Sequence, residues 1–310
     1  MSGGRLNLED CMKKIVGVLL AAGALFPLAA IAADAPGPGW AFMTPDPDAP
    51  APPPPGGGGG GAPAAAPAAQ PGVPMIVIAG KGDAVRPCNT CHTPSGMGQP
   101  ESANIRGLNA TYFARQMADF KSGARGGPRS AAMAGFAKGL SDEEVKEIAD
   151  YYSGLKAAPW TNISESAQTP KTLVGRNSQR TRAPGNEMEP LGSRIIEFAN
   201  SPAAIRQMEM PAFVAFVPAG SLGAGRGLVT TGGGGKTTAC TSCHGANLQG
   251  VMDVPAIAGR SPVYIARQIY SFKNGVRKGT NADIMKGVVD KLSDDDVIAI
   301  SSYVASQSPS

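Results

Sequence analysis

The sequence predicts a mainly α-helical protein that contains two tandem copies of one domain. A C-x-x-C-H motif at 88–92 recurs at 240–244, a shift of 152 residues (240 − 88). Matching residues and helix signals follow both copies in the same order, and 107–151 aligns with 259–303 without a gap. The chain of 310 residues is long enough for two ordinary domains. Its net charge of only +4 is too small to indicate a nucleic-acid-binding protein.

Each C-x-x-C-H motif is typical of a covalent attachment site for c-type haem. Two thiols add to the vinyl groups of one porphyrin, and the histidine that follows them ligates the iron. The attachment residues would be Cys88, Cys91 and His92 in the first copy, and Cys240, Cys243 and His244 in the second. A structural zinc site built from two C-x-x-C pairs and a redox-active C-x-x-C are the alternatives. The recurrence within a longer repeat favours two covalently bound haem c groups.

Methionine is the expected second axial ligand of each haem. The chain has only 2 histidines, and both lie in the C-x-x-C-H motifs. Among its 12 methionines, only Met133 and Met285 recur at the shift of 152, each 41 residues after its histidine (133 − 92 and 285 − 244). The alternative role for such a residue is to fill a gap in the core. A histidine and methionine pair would raise the haem potential.

Two arginines that recur at the same shift lie in the loop before each methionine. Arg125 and Arg277 would pair with haem propionates as charge-assisted donors, or would lie in solvent. Tyr112 and Tyr264 also recur, and we expect them to pack in the core rather than to donate to a propionate.

The haem domains are predicted to span 75–156 and 218–310, with helices that begin at recognisable caps. These helices should start after Asn109 and Ser141 in the first domain, and after Ser261, which Pro262 follows, and Ser293 in the second. The second domain should open with a helix over 221–231, for which the first domain has only a poor counterpart.

Residues 1–33 are predicted to be a signal peptide. Lys13 and Lys14 precede an apolar stretch over 15–30, and Ala30-Ile31-Ala32 fits a cleavage site. Periplasmic export with no stable membrane span after cleavage is therefore expected, and an uncleaved anchor is the alternative. Met12 is a plausible true start, in which case Cys11 would not belong to the protein.

Two segments outside the haem domains are harder to interpret. The Pro/Gly/Ala-rich stretch 34–74 should be a disordered linker, although Trp40 and its neighbours would also be able to dock on a partner or on a haem domain. The connector 157–217 is expected to be long and irregular, with loop over 157–192 and possible short strands around 195–198 and 211–218.

The combined motifs resemble the class I two-haem cytochromes c of the cytochrome-c-four type. The resemblance rests on the C-x-x-C-H sites, the Y-x-A-R-Q and F-K-x-G-x-R runs, the following methionine and the L-S-D helix, and it covers about two-thirds of the mature chain. It implies an all-α haem domain in each half, histidine and methionine ligation, and periplasmic electron transfer. The long connector and the Pro/Gly-rich arm depart from that family.

The leading functional hypothesis is a periplasmic electron carrier rather than an enzyme. It would shuttle electrons from a respiratory or dehydrogenase donor to a terminal acceptor, with a periplasmic dehydrogenase, a cytochrome bc complex, or a terminal oxidase or reductase as partners. One alternative is a haem subunit that stays bound to a periplasmic dehydrogenase. The other is a haem enzyme with one open iron.

Overall fold

The computed structural model describes residues 37–43, 46, 68–127, 130–175, 178–201 and 211–309. The predicted signal peptide and most of the predicted linker lie outside the described residues. Within the described part of the chain, no helix has both the length and the apolar character needed to cross a membrane.

Two helical units flank a β-rich connector. The helices are α1 (Gly39–Phe42), α2 (Met75–Ile78), α3 (Cys88–His92), α4 (Ala110–Ser122), α5 (Ala131–Gly139), α6 (Asp142–Ser153), α7 (Ser221–Thr231), α8 (Thr241–His244), α9 (Pro262–Lys273), α10 (Ala282–Val289) and α11 (Asp294–Ser306). The strands are β1 (Thr161–Glu165), β2 (Gln168–Pro170), β3 (Thr172–Val174), β4 (Arg180–Arg182), β5 (Met188–Pro190), β6 (Ile196–Ala199) and β7 (Phe213–Val217).

The long helices begin where the sequence places their caps. Asn109 accepts hydrogen bonds from two backbone amides at the start of α4, and Ser261 accepts one at the start of α9. Ser141 and Ser293 each form a complete capping box, at α6 and α11. These side chains satisfy amides that have no partner within the helix, which fixes where each helix starts.

Each helical unit has its own apolar core. In the first unit the core includes Phe113, Ile148 and Tyr152, from helices α4 and α6. In the second it includes Ile269 and Val297, from helices α9 and α11. The duplicated sequence therefore forms two separately packed domains.

The opening helices of the two domains differ in length. Helix α7 has 11 residues, as predicted for 221–231, whereas its counterpart α2 has only 4. Helix α7 packs closely on α11, where Gly225 lies against the Ala299 carbonyl and the Tyr303 side chain. A side chain at position 225 would prevent this approach.

The expectation of loop over 157–192 is wrong, because this stretch contains strands β1 to β5. Two antiparallel two-stranded sheets pair β2 with β5 and β3 with β4, while a three-stranded sheet has the order β1-β7-β6. The strands expected near 195–198 and 211–218 are present as β6 and β7. Strands β1 and β7 run parallel, with Thr161 opposite Phe213.

The connector sheet attaches to both haem domains. The Trp160 indole N–H donates to the Gly98 carbonyl of the first domain at 2.9 Å. On β6, the fully buried Glu197 carboxylate accepts from Ser261 Oγ at 2.6 Å and from Thr161 Oγ1 at 2.9 Å. Because Ser261 caps helix α9, Glu197 links the sheet to the second domain.

Part of the predicted disordered linker is ordered. Ala41, Phe42 and Met43 are buried, with Ala41 and Phe42 in the core of the second domain and Met43 against the connector sheet. The Arg267 guanidinium donates to the Ala41 carbonyl at 3.2 Å, and the Asp46 carboxylate accepts from the Val174 amide at 2.7 Å. The expected spacer is thus interrupted by a short docked segment, which is the alternative that Trp40 suggested.

Candidate functional site

One continuous cavity of about 480 Å³ is lined by both C-x-x-C-H motifs and by both repeated methionines. The predicted ligand residues on its wall are Cys88, Cys91, His92, Met133, Cys240, Cys243, His244 and Met285. The structure therefore brings each cysteine pair together with its histidine and the methionine at the same shift.

The two histidines are held in one tautomer. His92 Nδ1 lies 2.7 Å from the Ala103 carbonyl oxygen, and His244 Nδ1 lies 2.8 Å from that of Pro255. A carbonyl only accepts, so Nδ1 carries the proton and Nε2 keeps its lone pair. Burial lowers the pKa of both histidines, which favours the neutral imidazole that binds a metal.

The four motif cysteines form no disulfide bonds. Burial raises the pKa of Cys88 and of Cys240 to about 11, so both remain protonated at neutral pH. Cys91 is partly buried and Cys243 is exposed. All four line the cavity in which the haems would be attached.

The repeated arginines lie at the interface between the two domains. Arg125 and Arg277 pair through an isolated antiparallel bridge, and both side chains are buried. The Arg125 guanidinium donates to Gln116 at 2.9 Å in its own domain, and to Gln268 at 3.1 Å in the other. Arg277 repeats the pattern, with Gln268 at 2.9 Å and Gln116 as the partner across the interface at 2.6 Å.

The repeated tyrosines complete this network, so the expectation that they only fill the core is incomplete. The Tyr264 hydroxyl accepts from Arg125 at 3.1 Å, and the Tyr112 hydroxyl accepts from Arg277 at 2.8 Å. Each contact crosses the domain interface. Two buried cations thus meet in a pseudo-symmetric set of amides and phenols that faces the cavity. The buried Asp119 carboxylate, which accepts from Gln116 at 3.0 Å, lies close enough to Arg125 to favour its charged form.

The sequence did not reveal every polar residue at this interface. Gln116 and Gln268 recur at the shift of 152, but nothing in the sequence indicates their role. Arg260 stands where the first copy has Leu108, and its buried guanidinium donates to carbonyls of Asn104 and Arg106. The sequence signal for Arg260 was that a charged residue stands where the other copy has an apolar one.

The donor set and the cavity fit two covalently attached haems. Each half offers two thiols, a neutral imidazole and a thioether on one predominantly apolar wall, which are the ligands that c-type haem requires. The buried arginines have neutral hydrogen-bond partners and face the same cavity. Anionic propionates would supply the counter-charge that such cations favour.

Comparison with known families matches both halves of the chain. Residues 234–308 match the family described as cytochrome c, and residues 78–151 match the family described as cytochrome C oxidase, cbb3-type, subunit III. Each match contains one C-x-x-C-H motif together with the methionine that repeats with it.

Three relatives extend this similarity. The chain is 28% identical over 229 residues to a thiosulfate dehydrogenase electron acceptor from Stutzerimonas stutzeri, which covers 73% of this chain and 81% of the relative. It is 24% identical to cytochrome c4 from Azotobacter vinelandii, over 73% of this chain and 86% of that one. Over 73 residues it is 37% identical to cytochrome c-554(548) from Halomonas halodenitrificans, which covers 23% of this chain and 88% of the relative.

A solved structure shares the fold. The thiosulfate dehydrogenase of Marichromatium purpuratum superposes with a TM-score of 0.52 at 22% identity. The match covers 76% of this chain but only 39% of that one, so this chain spans about two-fifths of its length.

Proposed function

We propose that this chain, which belongs to the cytochrome c family and carries two covalently bound haem c groups, is a periplasmic carrier that accepts electrons from a dehydrogenase of sulfur compounds. Its relatives are electron-transfer cytochromes, one of them an electron acceptor of thiosulfate dehydrogenase. Haem c supplies one-electron redox chemistry at each site. The protein's own residues would bind the two haems, supply the ligands of each iron and exclude solvent.

The pairing of each histidine with a methionine supports a carrier rather than an enzyme. We assign Cys88, Cys91, Cys240 and Cys243 to haem attachment. His92 with Met133, and His244 with Met285, would hold the two irons. With a thioether as the second protein ligand, neither iron would have an open position for a substrate, so the chain should exchange electrons without turning over a substrate itself.

Arg125 and Arg277 indicate that the domain interface also binds the haem propionates. Both guanidiniums are buried, and their hydrogen-bond partners are neutral. We assign them to the haem propionates, whose charge, together with that of the buried Asp119, would balance two cations taken out of water. This placement would put the two haems near one interface.

The axial assignment is tested by Met133→Ala and Met285→Ala. Each variant should lose the sulfur-to-iron absorption band of one haem, lower the potential of that haem and bind cyanide readily. Met117→Leu is the matched control, because Met117 also lines the cavity but has no methionine at the shifted position. Fast peroxide turnover by the wild-type protein would contradict the carrier assignment.

The donor is tested by rapid mixing. The oxidised protein should be reduced rapidly when it is mixed with a thiosulfate dehydrogenase and thiosulfate. It should stay oxidised when it is mixed with thiosulfate alone. Reduction by thiosulfate without the dehydrogenase would favour an enzyme. Co-purification of the two proteins at a fixed ratio would favour the alternative of a bound haem subunit.

A further inference from the structure

We propose that the hydroxyl group of Tyr152 donates a hydrogen bond to the haem held by Cys88, Cys91 and His92, and thereby raises the potential of that haem above the value it would otherwise have. The inference rests on the proposed attachment of the first haem in this cavity. It concerns a residue that the second haem site does not possess.

The hydroxyl of Tyr152 is buried without a protein partner. The side chain is fully buried in helix α6, and among the described residues no hydrogen-bond partner exists for its oxygen. Tyr152 lines the same cavity as Cys88 and His92. Because buried hydroxyl groups nearly always find a partner, the acceptor should belong to the group that fills the cavity.

The surroundings hold the phenol in place. The Phe113 ring stacks on Tyr152 with centroids 6.2 Å apart, and the Tyr151 ring meets it edge-on at 4.9 Å. Burial raises the pKa of Tyr152, so the phenol keeps its proton and acts as a donor. A fixed donor of this kind can act on a redox centre through its dipole.

The second domain lacks this donor, because Val304 occupies the equivalent position (152 + 152). The local backbone is otherwise the same in the two copies. The Gly107 amide donates to the Tyr152 carbonyl at 2.9 Å, and the Gly259 amide donates to the Val304 carbonyl at 3.0 Å. The difference is therefore confined to the side chain.

A compensating exchange accompanies the tyrosine. Gly96 lies against the Tyr152 ring, where a Cβ atom would come within 2.8 Å of it, and its counterpart in the second domain is Leu248. Leu248 adopts a positive φ of 59°, which is uncommon for a residue other than glycine. The first domain thus combines the small Gly96 with the large Tyr152, whereas the second combines the larger Leu248 with the smaller Val304. Gly96 therefore leaves the space that the Tyr152 ring occupies.

The electrostatic effect has a definite sign. The hydrogen end of the O–H dipole would point toward the haem, where it stabilises the reduced state, which carries one more electron. Removal of the hydroxyl should therefore lower the potential of the first haem. A phenol that merely made the pocket more polar would stabilise the more highly charged oxidised state, and its removal would raise the potential.

The test is Tyr152→Phe in the haem-loaded protein, with each haem followed through its own haem-methyl NMR signals during a redox titration. The reduction equilibrium of the first haem should shift about tenfold toward the oxidised form, which is a fall of roughly 59 mV in its potential for one electron. The potential of the second haem should stay unchanged. Tyr151→Phe is the matched control and should leave both haems unchanged. Haem content, measured on the same sample, separates a failure of attachment from a failure of this inference.

A second variant transfers the donor. Leu248→Gly combined with Val304→Tyr should raise the potential of the second haem and leave the first unchanged. The inference is overturned if Tyr152→Phe leaves the first haem unchanged, as expected for a hydroxyl bound to a trapped water. It is also overturned if the potential rises, or if both haems shift equally.

Discussion

Glu197 should make the stability of this protein fall as the pH rises from acidic to neutral. Its carboxyl group is fully buried in strand β6, and burial raises its pKa from the ordinary 4.5 to about 7. The neighbouring Glu101 adds to this effect, whereas hydrogen bonds from Ser261, Thr161 and the Val263 amide oppose it.

The magnitude follows from linkage between protonation and folding. Between pH 4.5 and about 7 the folded protein holds a proton on Glu197 that the unfolded chain has released. Each pH unit in this interval is worth about 1.4 kcal/mol, so the whole interval amounts to about 3 kcal/mol. The contribution is complete below pH 4.5 and is lost as the pH passes through about 7.

Glu197→Gln removes the titrating group and keeps its shape. Guanidinium unfolding of the haem-loaded proteins at several pH values should show the wild type losing about 3 kcal/mol relative to the variant as the pH rises to neutral. Glu147→Gln is the matched control, since Glu147 is an exposed carboxylate on helix α6. Parallel curves for wild type and Glu197→Gln would refute the reasoning.

Two further predictions concern packing. Gly225→Ala should lower the free energy of unfolding by about 1–3 kcal/mol, because the new Cβ would meet the Ala299 carbonyl and come within 2.7 Å of Tyr303 Cβ. Gly223→Ala, in the same helix but with open space around it, should instead raise it by about 0.5–1 kcal/mol, and equal effects in denaturant unfolding would contradict the packing described. Phe42→Ala should cost about 3 kcal/mol or more because Phe42 lies in the core of the second domain, whereas Met75→Ala at a half-exposed site should cost little in the same assay.

The elements that the sequence predicts well are those with local causes. Asn109, Ser141, Ser261 and Ser293 cap their helices through backbone amides two or three residues away, so the caps are visible in a short window. The cavity wall was predictable for a different reason. The shift of 152 residues identified Met133 and Met285 together, although neither is distinctive alone.

The connector was poorly predicted because its order depends on distant partners. Strand β1 is polar and acquires its pairing from β7, with Thr161 opposite Phe213. Most of the short strands between them have too few residues to show an alternating pattern. The docked segment around Phe42 posed the same problem, since its packing surface is formed by a domain far along the chain.

The interface network was invisible for the same physical reason. Arg125 meets Tyr264, and Arg277 meets Tyr112, only because the two domains face each other. The repeat identified all four residues, but it did not show that each one finds its partner in the other copy.

The contacts that join the two domains around Arg125 and Arg277 also affect how fast an electron can move within the molecule. Backbone hydrogen bonds from Gly126 to Val276 and from Lys278 to Ala124 join the domains next to Arg125 and Arg277, and Arg115 forms an ion pair with Asp253 across the same interface. Strands β1 and β7 tie the end of one domain to the start of the next. With both connections in place, the separation of the two redox centres is set by the folded state. Hopping of an electron between them should therefore need no hinge motion, and solvent viscosity should leave its rate unaffected.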